Sequence, residues 1–198
     1  LKSLIASYNQ NITTVNHLIQ LEILDASYNC GINDTGIVQC INLKSLNASD
    51  NPKITNVNHL TKLEILDVFR YCGINDAGIV NCINLKELNA SCTQKITNVN
   101  HLSKLEILDV GNNCKINDAG IVNCINLKKL IASCAQKITN VNHLAKLEIL
   151  HAATTCGINE AGIVNCINLK SLDVSYNTKI TNVNHLVNLK ILTISGSG

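Results

Sequence analysis

The sequence predicts an α/β solenoid: a right-handed stack of short coils, with a curved parallel β-sheet on the concave side and short α or 3-10 turns on the convex side. Three observations predict it. A 42-residue segment beginning at Leu43 returns at Leu85 and Leu127, appears earlier from Leu1, and starts again at Leu169. Self-similarity at such a period marks a stacked-repeat architecture. Each segment divides into related halves of 20 and 22 residues sharing L-x-x-L-x-A/V and a later Ile, so the half is the structural unit and the chain holds about ten. Finally, Leu4 and Ala6, recurring as Leu24 and Ala26 and as Leu46 and Ala48, keep the strand period of two. One such strand cannot bury its apolar face alone; the next copy beside it makes a parallel sheet over a continuous core.

The repeat implies a single domain, 1–198, of double repeats 1–42, 43–84, 85–126 and 127–168 with a partial copy 169–198. Pro52 is the only proline, and no composition shift marks a linker. The chain begins mid-repeat without Met and ends Ser195-Gly196-Ser197-Gly198, and so reads as an excised or engineered piece. No apolar run approaches the ~20 residues of a membrane span. A net charge of +2 makes no case for nucleic acid or an anionic membrane.

The return legs differ between halves. In the longer one, Asp76 stands where a helix N-cap belongs, with Gly78 allowing tight packing and Ile32, Ile37 and Val38 continuing the apolar pattern. In the shorter one, Thr55 reads as a cap before a 3-10 or extended turn.

The stretch Cys166-Ile-Asn-Leu169-x-x-Leu172-x-Val174-x-x-Asn177-x-x-Ile180-Thr181-Asn182 resembles the cysteine-containing class of leucine-rich repeats. The coils here are shorter, position 6 is often Ala, and the Asn or Cys of position 9 is replaced at Tyr71, Thr93, Ala135 and Thr155. The resemblance implies protein recognition through the concave sheet and no catalysis. It also leaves open a substrate receptor of a ubiquitin ligase, and the regular copies leave open a structural or engineered scaffold without a natural ligand.

Copies compared with one another point to the site. The legs "KITNVNHL" and "INDAGIVNCINLK" barely change, whereas strand positions 3, 5 and 7 and the following positions 8 to 10 vary. Positions 3, 5 and 7 should face outward if 4 and 6 face in. Every aromatic residue lies at position 7, 8 or 9: Tyr8, Tyr28, Phe69, Tyr71 and Tyr176. The only arginine, Arg70, sits between Phe69 and Tyr71, and these residue types dominate binding hot spots. Position 5 carries Asp25, Asp67, Asp109 and Asp173, an acidic stripe suited to a partner with basic groups and unsuited to phosphate backbones. His151 stands in the same row beside Asp173, a candidate for pH-dependent contact with no nucleophile in register.

Position 2 alternates Lys and Glu from Lys2 to Lys170, which reads as a structural ladder fixing register, and Lys190 breaks it. Cysteines of each equivalent set lie two coils apart, about 10 Å, too far for a disulfide or shared metal. His17, His59, His101, His143 and His185 are spaced likewise and read as bonded to turn backbone. No metal or cofactor is expected. Unpaired thiols lean toward a reducing, cytoplasmic setting, while sequons such as Asn11-Ile-Thr13 point the other way. Exposed apolar ends would favour end-to-end association.

Overall fold

The computed structural model describes residues 1–196; of the terminal Ser-Gly segment, 197 and 198 lie outside the described residues. Ten three-residue strands form one parallel sheet in chain order, from β1 (Ser3–Ile5) and β2 (Ile23–Asp25) to β9 (Ser171–Asp173) and β10 (Ile191–Thr193). Register is strict: Leu4 lies beside Leu24, and Leu24 beside Leu46. The central residue of β2 to β9 is buried and its neighbours face out, as alternation requires. Leu, Ile, Val, Ala and Cys side chains make one continuous core.

The position-2 ladder forms as expected. Glu64, Glu106 and Glu148 each bind the lysine of the following coil, Lys86, Lys128 and Lys170, at 2.8 Å. Glu22 binds both Lys2 and Lys44, and these two hydrogen-bonded ammonium groups hold its carboxyl down at about 2. The histidines also behave as read: Nε2 of His59, His101 and His143 lies 3.1–3.2 Å from the carbonyls of Ile37, Ile79 and Ile121 in the preceding coil.

The return legs depart from the sequence reading in three ways. The cap of each longer leg is Asn, one residue before the Asp: the Asn75 side chain accepts from the Gly78 N–H. Asp76 is thereby freed to bind the next coil, accepting from the backbone N–H of Thr97 at 2.8 Å and from its hydroxyl at 2.6 Å. Thr55 therefore caps nothing and donates to Asp34 instead. Only Asp118–Ile121 closes an α turn; Asp34–Gly36, Asp76–Ile79 and Glu160–Gly162 are 3-10 turns. Finally, Val38 faces solvent while Ile37 beside it is buried.

Position 9 resolves by a frame shift. In the shorter coils it points inward: the buried Asn51 donates to the carbonyls of Ala26 and Ile32 in the coil before, and Asn177 does the same to Ala152 and Ile158. The longer coils carry one extra residue at this corner, so Tyr71 and Thr155 swing out and Cys72 and Cys156 fill the buried place. Burial pushes the Cys72 thiol up to about 11, against the opposing pull of the Ile74 and Gly73 N–H groups. The second cysteine set is buried too, Cys82 donating weakly to the Val57 carbonyl at 3.6 Å. Only Cys92 and Cys134 are partly exposed among ten free thiols. A thiolate-directed reagent at neutral pH should modify these two in the native protein and the other eight only after denaturation; early labelling of the eight would contradict the burial.

Candidate functional site

The corner after six of the ten strands is built by the position-5 side chain. Asp25, Asn47, Asp67, Asn89, Asp109 and Asp173 each accept the backbone N–H two residues on, at 2.8–3.0 Å. This Asx turn ends the strand. The acidic stripe is therefore partly a structural device, and burial raises the Asp109 carboxyl above its ordinary range. The same turn closes over position 7, so that Ser27, Ser49 and Ser91 are buried and Phe69 is half-buried. Position 7 is thus not part of the open face, contrary to the alternation rule, because the strand has already ended there.

Position 8 follows in the left-handed region in every complete coil: Tyr8, Tyr28, Asp50, Arg70, Cys92, Asn112, Cys134, Thr154 and Tyr176 have φ between 52° and 62°. Each such non-glycine residue costs about 1–2 kcal/mol. Few of the residue types announce it; only Asp50 and Asn112 are types that favour this conformation. Thr154 is β-branched and the least suited, so Thr154→Asn should raise stability by about 1 kcal/mol in urea denaturation. A loss would mean that its contact with the Cys134 sulfur, at 2.8 Å, outweighs the strain.

Position 8 thus forms a rim along which side chains of successive coils stand side by side. Tyr8 and Tyr28 stack with centroids 4.6 Å apart and planes within 2°. Two coils on, the Arg70 guanidinium lies 5.8 Å from the Phe69 ring centre and 5.4 Å from that of Tyr71, within cation–π range. Between these two ridges the third coil leaves a notch. Tyr8, Tyr28, Arg70 and Tyr71 share its lining with Gln10, Asn29, Asp50 and Pro52. Asp50 stands 3.9 Å from Arg70, too long for a hydrogen bond, so the guanidinium donors remain available. Tyr71 is 73% exposed. On the adjoining sheet face, Ile5, Ile23 and Ile65 are exposed and extend the apolar area.

The structure therefore brings Tyr8, Tyr28, Arg70 and Tyr71 together, with Asp25 and Asp67 on the neighbouring strands. Asp109 lies two coils farther along. His151 and Asp173 are partners in register on adjacent strands, and Tyr176 stands apart on the rim of the ninth coil. Sequence reasoning missed Asp50, Pro52 and the three isoleucines. Tabulating position 8 across coils places Asp50 between Tyr28 and Arg70, a signal that was readable.

A family model described as Leucine Rich repeat matches residues 101–123 and 165–183. No curated protein matches the chain. Solved structures similar to it include an internalin, InlF, from Listeria monocytogenes strain 4b F2365, at 21% identity and a TM-score of 0.71. A functional domain of InlJ from Listeria monocytogenes, described as including a cysteine ladder, matches at 19% identity and 0.68, and internalin C2 from strain 4b F2365 at 23% and 0.59. The alignments cover 98%, 98% and 96% of this chain, and 60%, 44% and 80% of those chains. The chain thus spans less than two thirds of the first two structures.

Proposed function

We propose that the chain, a leucine-rich-repeat solenoid, is a non-enzymatic module that binds a protein partner across the open face of its sheet and the aromatic rim beside it. The carrying observation is the meeting of Tyr8, Tyr28, Arg70 and Tyr71 around one notch, on a scaffold whose return legs hardly vary. A solenoid core has no need of these residues, and Tyr8, Tyr28 and Arg70 are held in left-handed backbone. The relatives' fold supports the same class of role. The flanking Asp25 and Asp67 favour a partner that brings basic groups to the notch.

Alanine at Arg70 and Tyr71 together should weaken partner binding by about 2 kcal/mol or more, while the melting transition stays in place because both side chains are exposed. Phe69→Ala is the separate arm, since its half-buried ring also packs. Titration calorimetry with a partner recovered on the wild-type chain measures both. Equal affinity of the Arg70/Tyr71 double variant would remove the notch from the interface.

A further inference from the structure

We infer that a second surface, the rim upstream of the strands, docks on an anionic lipid surface. Two independent features meet there. The first is charge. Positions 2 and 20 of the shorter coils, with position 2 of the longer ones, hold nine lysines and four glutamates, a surplus of five positive charges. Since the chain carries +2, the remainder of the molecule is net −3. The near-neutral total conceals this separation. Five of the lysines, Lys2 included, pair with the four glutamates of the ladder. Although Glu64 and Glu106 line the same clefts, Lys62, Lys104 and Lys146 form no ion pair among the described residues. Each is held instead by an Asn side chain of the preceding coil, at 2.6 Å from Asn42, Asn84 and Asn126. Lys190, which replaces the glutamate of the pattern, joins Lys128, Lys146 and Lys170 around one cleft whose only acid is Glu148.

The second feature is apolar. Ile41, Ile83, Ile125 and Ile167 each immediately precede the Asn of this rim, and all four are 53–58% exposed. They repeat every second coil and meet no core. A row of exposed β-branched side chains beside a row of ammonium groups is the composition that seats at a lipid interface. The apolar side chains enter the headgroup boundary and the lysines meet the phosphates. Base stacking is not available to a nucleic acid here, because every aromatic residue and the only arginine stand at the far end of the strands. The ladder glutamates recur every second coil and would abut the fixed charges of any polyanion laid along the row. Mobile headgroups, some bearing ammonium, rearrange around them. Two copies apposed by this rim would bring like charges together.

The test is co-sedimentation of the whole chain with vesicles of phosphatidylcholine alone and of phosphatidylcholine with phosphatidylserine. The chain should bind only the anionic vesicles, and less as salt rises. Lys104→Gln with Lys146→Gln should cost about fivefold per lysine. Ile83→Ser with Ile125→Ser should cost about tenfold for the pair, both sets keeping the wild-type melting transition. Absence of binding to anionic vesicles overturns the inference. So does a lysine-dependent association indifferent to the isoleucines and fully competed by heparin, which would mean a soluble polyanion. So does a self-association, without lipid binding, that the isoleucine pair dissolves. Variants of the Arg70–Tyr71 notch should leave vesicle binding unchanged, so the two surfaces can fail separately.

Discussion

Gly78→Ala should destabilise the protein by about 3 kcal/mol or more, a large effect for a single methyl group. A Cβ at Gly78 would stand 2.2 Å from the carbonyl oxygen of Thr55 in the preceding coil. That oxygen cannot retreat. The Thr55 N–H is bonded to Asp34 at 2.7 Å, and the Val57 N–H to the Gly78 carbonyl at 2.9 Å, so both backbones are pinned at their point of closest approach. The same contact recurs at Gly36, Gly120 and Gly162, each 2.2–2.3 Å from a backbone oxygen, and this glycine is kept in all four longer coils. Gly111 supplies the control. Its added Cβ would meet an Asp109 side-chain oxygen and the Ser133 carbonyl at 3.1 Å, and the equivalent residue elsewhere is Ser, Phe or Ala. Gly111→Ala should therefore cost under about 1 kcal/mol. Urea midpoints of the two variants decide the matter; equal midpoints would show that the coils separate more easily at Thr55 than their hydrogen bonding implies.

The solenoid was legible because its signal is redundant. Nine copies of L-x-x-L-x-A/V and a tenth with Ile194 at the last place define register, and Leu4, Leu24 and Leu46 fall into it. The Lys–Glu ladder and the histidine contacts were readable for the same reason, since a chemical pattern repeated at a fixed spacing constrains its own geometry. What escaped lies at the corners. Val38 looked like a continuation of Ile37 because a short turn has too few residues for periodicity to separate inside from outside. Asp76 looked like a cap because Asn75 and Asp76 are both capping types, and the choice depends on the neighbouring coil, where Thr97 requires the carboxylate. Position 7 looked outward because the Asx turn that ends the strand at Asp67 is set by geometry, not by alternation. Of the candidate site, the residue types were visible but their convergence was not. It depends on left-handed backbone at Tyr8, Tyr28 and Arg70, residue types that give no hint of that conformation.

Asn51→Ala should cost about 3 kcal/mol, because it strips the only side-chain donor from two buried carbonyls, at about 1–3 kcal/mol for each group left unsatisfied. The Asn51 amide donates to Ala26 at 2.7 Å and Ile32 at 3.1 Å, and its oxygen accepts from the Lys53 N–H at 3.0 Å. The chain carries its own counter-experiment. Ala135 occupies the corresponding place in the seventh coil, buried, with no polar atom to reach the Val110 and Ile116 carbonyls that correspond to Ala26 and Ile32. Ala135→Asn should therefore raise stability by about 1 kcal/mol, the net worth of an added intramolecular hydrogen bond, provided that the larger side chain fits as it does at Asn51 and Asn177. Coil stabilities in a solenoid add through nearest-neighbour contacts, so the gain should survive in the double variant Asn51→Ala/Ala135→Asn, whose sites are four coils apart. Hydrogen exchange at the amides of the sixth and seventh coils would show whether the protection rises locally, as a new bond requires. Unchanged exchange there, with a lowered urea midpoint, would mean that the seventh coil has closed around alanine and that this corner tolerates its missing donor by packing alone.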